Sequence, residues 1–214
     1  MTGEAATAIP AGLVVVDAGG VPGSESVEVR DYRVAYGENV TVGEDRLVEV
    51  GNGTDSVDVS GVILTNPDRQ LWTPAVREAT LAFAGNETVV VGGLGWRETL
   101  EANRTGWEVV GNDSAYAVDL THDGEPTRSY RSDPSRADAR IDGRAFAVAP
   151  TTDGFELQVI ENGSVVDSTP VPATNESAAA GGVVLENRVV DGTERIVVVA
   201  DDTEVQVAER ETYE

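Results

Sequence analysis

The stretch from Asn86 to Leu120, NETVVVGGLGWRETLEANRTGWEVVGNDSAYAVDL, constrains the fold most, because apolar and polar residues alternate along it. Placing a two-residue turn at Asn103–Arg104 pairs Ala102 with Thr105, Leu100 with Trp107, and Glu98 with Val109. One face then carries Trp96, Leu100, Ala102, Trp107 and Val109, with Glu98 the one intruder. The other carries Arg97, Thr99, Glu101 and Glu108. Side chains alternate across a strand, so this segregation predicts an antiparallel hairpin with one buried and one wet face. The alternative is a short helix over residues 96–104, since WRETLEANR is also compatible with helical spacing.

The rest of the chain agrees with a β reading. Its 214 residues are enough to bury a core, and they hold 35 valines against 10 leucines and 5 isoleucines. Valine is stiff at its branched β-carbon and favours pleated strands. The predicted fold class is all-β: an antiparallel meander or sandwich in two β-rich parts, with at most one short helix. Residues 1–11 read as a mobile lead-in and 12–121 as an N-terminal antiparallel β domain. Residues 122–137, HDGEPTRSYRSDPSRA, have no apolar periodicity and read as a connector. A smaller β domain follows over 138–214.

Within the first part, strands are expected at Gly12–Val16, from Val27 to Tyr36 with a bulge or bend at Arg30–Asp31, and at Leu47–Val50 and Val57–Thr65 around the turn Gly51–Thr54. Thr73-Pro74 followed by AVREA is the predicted helix start, because Thr can cap and proline is tolerated in the first turn. A strand through Leu81 and Phe83 should lead into the meander, and Ser114–Thr121 should close it. In the second part, turns are expected at Asn162-Gly163, Asp191-Gly192 and Asp201-Asp202.

Charge points to habitat. Acidic residues outnumber basic ones 38 to 15, every basic residue is arginine, and the net charge is −23. Such a surface repels itself in dilute buffer, whereas at molar salt the Debye length falls to about 3 Å and the repulsion is screened. The composition resembles that of haloarchaeal proteins and predicts a halophile; an ordinary acidic protein is the alternative. Nucleic acid is an unfavourable partner for a chain without a basic footprint.

Without cysteine there are no disulfides or thiolate metal sites. No apolar run is long enough to span a bilayer, and MTGEAATAIP lacks the regions of a signal peptide, so the chain reads as cytoplasmic or as part of something longer. The asparagines favour export. Seven of nine stand in Asn-x-Ser/Thr: Asn39, Asn52, Asn86, Asn103, Asn112, Asn162 and Asn175. All fall in predicted turns or loops and are glycosylation candidates, with Asn103 and Asn162 at the best turn tips. Turns also favour Asn, Ser and Thr for their own reasons, which is the competing explanation.

No catalytic, cofactor-binding or metal-binding constellation emerges. His122 is the single histidine, in DLTHDGE, and no Gly-x-Ser-x-Gly accompanies it, so a solvated loop residue is the simpler reading. Gly92-Gly93-Leu94-Gly95 lacks the rest of either phosphate-binding motif and reads as a bend or bulge before the Trp96 strand. Trp72, Trp96 and Trp107 suit either a sugar platform or the core, and the scarcity of other aromatics favours the core. The acidic loops Asp119–Glu125, Asp191–Glu194 and Asp201–Glu204 match no spaced calcium loop. Arg128, Arg131, Arg136, Arg140 and Arg144 form a positive island that fits either an acidic partner or internal neutralisation.

Three runs, SGVILTNPDRQLW (Ser60–Trp72), VVVGGLGWRET (Val89–Thr99) and NRTGWEVVGNDSAYAVDL (Asn103–Leu120), resemble the soluble region attached to the membrane domain of haloarchaeal rhomboid-family proteins. Rhomboids cleave within membranes with a serine and a histidine on transmembrane helices. Neither the helices nor their motif occurs here, so no catalytic residue carries over. The resemblance implies an accessory module on the outer face, tethered through a membrane segment. The expected function is therefore a non-catalytic, exported halophilic β-module with a structural or protein-interaction role, needing no cofactor and partnered by another protein or its parent membrane domain. The alternatives are a hydrolase using a carboxylate pair and a calcium-stabilised surface adhesin.

Overall fold

The computed structural model describes residues 24–43, 56–69 and 71–214. The expected strands at Gly12–Val16 and Leu47–Val50, the lead-in 1–11, the turn at Gly51–Thr54 and Asn52 lie outside the described residues. The fold is all-β and antiparallel, with one short α-helix among the described residues.

The chain forms two compact units, and they interleave along the sequence. The first contains the described residues up to Asn103 together with Asp119–Tyr130; the second contains Arg104–Val118 and Arg131–Glu214. The chain crosses between units three times, at Asn103/Arg104, at Val118/Asp119 and, within residues 122–137, at Tyr130/Arg131. That segment, read as a connector, is β8 (Glu125–Arg131) and the start of β9 (Ser135–Ile141). Its apolar period is invisible because Ser129 and Ser135, both buried, occupy inward positions.

In the first unit, β1 (Val27–Val29), β2 (Tyr32–Gly43), β3 (Ser56–Asn66) and β4 (Leu71–Arg77) make a four-stranded sheet in that order. The expected bend at Arg30–Asp31 is the tight turn between β1 and β2, where Val29 faces Tyr32. Pro74 starts no helix. It pairs with Ile63 in β4, an edge strand, where a missing N–H can face away from the ladder. The helix α1 (Glu78–Ala84) comes later and takes up Leu81 and Phe83, which were expected in a strand. It buries Leu81, leaves Phe83 exposed, and ends where the Gly85 N–H bonds the Leu81 carbonyl at 2.9 Å.

Next come β5 (Asn86–Gly93) and β6 (Trp96–Val109), which correct the central hairpin. Their turn is Leu94-Gly95, with Gly93 opposite Trp96 and Gly95 at φ +80°. Asn103–Arg104 is no turn: β6 runs straight through it, and neither residue has the positive φ that a tight two-residue hairpin demands. The faces were nevertheless legible. Leu100 and Ala102 are buried while Arg97, Thr99 and Glu101 are exposed; further on Trp107 and Val109 are buried and Glu108 is exposed. The burial phase changes between Gly106 and Trp107 inside one strand, which contributes residues 96–103 to the first unit and 104–109 to the second. A reversal of the chain and a strand whose other face becomes covered produce the same pattern. The helical alternative for residues 96–104 falls with it.

β7 (Ala115–His122) turns into β8 at Asp123-Gly124. Within the first unit β8 is tied back to the β1 side. The Glu25 N–H bonds the Ser129 carbonyl at 2.9 Å, the Ser129 hydroxyl donates to the Glu25 carbonyl at 2.7 Å, and the Tyr36 N–H donates to that hydroxyl at 2.8 Å.

The second unit is a sandwich. One sheet has the order β12 (Ser164–Pro170), β11 (Phe155–Glu161), β10 (Arg144–Pro150), β9. The other runs from β13 (Ser177–Ala180) through β14 (Val183–Val190), β15 (Thr193–Ala200) and β16 (Thr203–Arg210) to residues 104–109 of β6 and 115–118 of β7. Trp107, Phe146, Leu157, Leu185 and Ile196, drawn from both sheets, share one buried cluster. The turns expected at Asn162-Gly163, Asp191-Gly192 and Asp201-Asp202 close β11–β12, β14–β15 and β15–β16.

Candidate functional site

Turns of the first unit converge on one group of side chains. The β1–β2 turn supplies Arg30 and Asp31, and the 3-10 turn Pro67–Arg69 between β3 and β4 supplies Asp68 and Arg69. The β5–β6 turn presents a fully exposed Leu94 and leads to Trp96, and His122 precedes the β7–β8 turn.

Specific bonds hold them together. Fully buried Asn66 donates its amide to Asp31 at 2.9 Å and accepts the Arg69 N–H at 3.0 Å, locking two of the turns. Arg69 adds a 3.1 Å ion pair to Asp31 and a 2.9 Å hydrogen bond to the Tyr32 hydroxyl. Glu98, the intruder on the apolar face of β6, is explained here. One oxygen accepts Arg30 Nε at 2.9 Å and the other lies 3.3 Å from His122 Nε2. The Arg30 guanidinium lies 4.4 Å over the Trp96 ring, which meets Tyr32 at 5.8 Å. Trp96 is thus a half-exposed member of this cluster, whereas Trp107 is core.

His122 is no freely solvated loop residue: its side chain is 18% exposed and faces Glu98. No serine hydroxyl is bonded to it among the described residues. Beside the cluster a pocket of about 260 Å³ opens between Glu28, Arg30, Asp31, Tyr32, Arg33 and Asp68. These residues are scattered over β1, β2 and a turn between β3 and β4, and no sequence motif joins them. The one available signal was a lone glutamate on an otherwise apolar strand face.

A second ionic group is buried in the second unit. Arg104 and Glu211, each 8% exposed, form a double hydrogen bond at 2.8 and 3.2 Å. Arg104 also lies 3.6 Å over the Tyr116 ring, and the Tyr213 hydroxyl donates to Glu211 at 2.8 Å. Burial pushes the Glu211 carboxyl up, but hydrogen bonds and charge from Arg104, with further bonds from Tyr213 and Ser114, outweigh it and hold it below the ordinary value. Burial and the neighbouring carboxylate raise the Tyr213 phenol. A carboxyl held ionised is opposite to what the acid of a glycosidase pair needs. The group instead clamps the chain after β16 onto β6, helped by a 3.1 Å bond from the Glu211 N–H to the Gly106 carbonyl.

The sequence-based arginine island is divided. Arg128 belongs to the first unit and pairs with Asp119 at 2.5 Å; the other four belong to the second. There Arg144 pairs with Glu161 at 2.8 Å, Arg131 reaches the Thr152 hydroxyl at 3.3 Å, and Arg136 and Arg140 stand exposed on β9.

Of the described glycosylation candidates, Asn39, Asn86, Asn112, Asn162 and Asn175 are exposed. Asn103 is not at a turn tip; it is half-buried in β6 opposite Asn86. Asn39, Asn162 and Asn175 adopt φ of +49°, +52° and +64°, a region asparagine tolerates better than most residues, which is a structural reason for its presence. Asn66 and Asn187, the two outside acceptor motifs, are buried at 0% and 3%.

Among the described residues no three His, Asp or Glu side chains are grouped to hold a metal ion, and no helix is long and apolar enough to cross a membrane. Comparison with family models, with curated proteins and with solved structures finds no match for this chain.

Proposed function

We propose that this chain is an exported, non-catalytic halophilic β-module with a structural or interaction role, and that it binds through the clustered turns of its first unit. The convergence of those turns around Glu98 and Trp96 is the observation that carries the reading, because a rigid β scaffold commonly places its binding residues on loops gathered at one end. The exposed Leu94 beside half-buried Trp96 adds an apolar contact to the charged rim. Attachment to a rhomboid-type membrane domain rests on the resemblance of residues 60–72, 89–99 and 103–120, and export rests on the Asn-x-Ser/Thr sites.

Binding of the purified chain to cell envelopes of a halophilic archaeal host, in molar salt, tests the site. Saturable binding is expected. It should fall at least ten-fold when Leu94→Asp and Asp68→Arg are combined, and stay unchanged for Val165→Ser, an exposed position on β12. Equal binding by the turn variant, or no binding by the wild type, overturns the reading.

Salt supplies a separate test of the halophilic habitat. Arg188 bonds Glu186 at 2.6 Å and Glu204 at 2.9 Å, but exposed pairs contribute only about 0–1 kcal/mol each. Such pairs do not offset a net charge of −23, so circular dichroism should show loss of structure below a few tenths molar salt. A fold unchanged in salt-free buffer would exclude the strongly halophilic reading.

A further inference from the structure

We infer that the pocket beside the clustered turns takes a sugar carrying one oxyanion, a carboxylate or a sulfate ester, within a glycan chain. The inference rests on the binding role proposed for this end of the first unit and names its ligand.

The guanidinium of Arg30 is held from behind. Its Nε is bonded to Glu98 and its guanidinium carbon lies 4.4 Å over the Trp96 ring, Arg30 lines the pocket, and among the described residues neither Nη group is hydrogen-bonded to the protein. Arg33 lines the same pocket, with its Nε 3.5 Å from Glu28 and, among the described residues, no protein hydrogen bond on its Nη groups. Both side chains are about half exposed, at 54% and 47%, so the Nη groups are reachable from solvent. A planar guanidinium fixed through Nε and open at its Nη edge matches the two oxygens of a carboxylate or sulfate.

The remaining walls narrow the choice. Glu28, Asp31 and Asp68 stand in the same pocket and only accept hydrogen bonds when ionised. They repel a second anionic group, so a polyacidic peptide is disfavoured. They can, however, accept hydrogen bonds from hydroxyls flanking a single oxyanion, and a sugar acid or sulfated sugar presents that arrangement. The volume of about 260 Å³ lies just below the ~300–1,000 Å³ of pockets that enclose drug-sized ligands, so it suits one ring. Neutral hydroxyls also carry no penalty from the net charge of −23, and salt screens the single anion's repulsion.

Calorimetric titration of the full chain in molar potassium chloride tests this with defined probes. These are methyl glucuronide, glucose 6-sulfate, methyl glucoside, potassium sulfate and an acetylated Gly-Glu-Gly amide. Methyl glucuronide, glucose 6-sulfate or both should bind at least ten-fold more tightly than methyl glucoside and sulfate, and the tighter of the two identifies the oxyanion. Arg30→Gln and Arg33→Gln should each weaken that binding ten-fold or more. Arg33→Gln keeps the test valid if the Arg30 variant, which loses its stack on Trp96, fails to fold. Equal binding of sulfate alone would mean a simple anion site, and tighter binding of the peptide an acidic protein partner; either overturns the inference. So does the absence of binding by both sugar anions. Envelope binding that persists without sugar binding would remove the ligand assignment and leave the proposed function standing.

Discussion

Replacing Glu211 with alanine is expected to cost about 3–5 kcal/mol, because it leaves Arg104 charged, buried and without its carboxylate. The attraction within the pair is not the source of that figure. Desolvating both ions opposes it, and the loss comes from stranding one of them. A double replacement, Arg104→Met with Glu211→Leu, should therefore recover most of the loss, even though two charged contacts are gone. Denaturant unfolding at constant high salt distinguishes these outcomes; a double variant as unstable as the single one would refute the account. The pair also sets a pH window. Glu211's carboxyl is depressed in the folded state, so its contribution is fully present above the ordinary value of 4.5 and is lost as pH falls through the lower folded pKa. Tyr213 acts at the other end: its phenol is raised, so its contribution is present below 10.0 and is lost as pH climbs beyond that. Glu211→Gln should flatten the acid limb of a stability-against-pH curve.

Trp107→Ala is expected to cost about 3–5 kcal/mol as well, for a different reason. The indole is 2% exposed and packs in the cluster with Phe146, Leu157 and Leu185, where its removal leaves a cavity that rigid strands cannot collapse. Among the described residues no protein group accepts a hydrogen bond from its buried Nε1–H, and a buried donor left unsatisfied costs roughly 1–3 kcal/mol. Trp107→Phe removes that N–H together with part of the ring, so it should be clearly milder than alanine. Thr99→Ala, on the exposed face of β6, should stay within about 0.5 kcal/mol. Equal destabilisation by Phe and Ala at position 107 would refute the cavity account, because Phe retains most of the ring volume.

Chain topology was harder to read than side-chain environment, and β6 shows why. Alternation told which of its residues face a core, since that depends only on the two-residue period of a strand. It did not tell whether the chain reverses at Asn103 or continues, because both histories place Ala102 and Trp107 in apolar surroundings. The segment 122–137 failed in the opposite way: Ser129 is fully buried and bonded to β-strand neighbours, so a polar residue occupied a place where an apolar one was sought. Pro74 read as a helix start because its edge position in β4 is a property of the sheet and not of the residues around it.

What the sequence determined by itself is therefore local: valine-rich alternation for strands, Asn-Gly and Asp-Gly pairs for tight turns, and a net charge of −23. Each of these depends on neighbours within a few residues or on composition alone. Only the tertiary structure decided the interleaving of the two units and the joining of Arg30, Glu98 and His122 at one place. It likewise decided the burial of Arg104 with Glu211, residues 107 positions apart. Such groupings are set by which strands pair, and pairing between distant strands leaves no periodic mark on either partner.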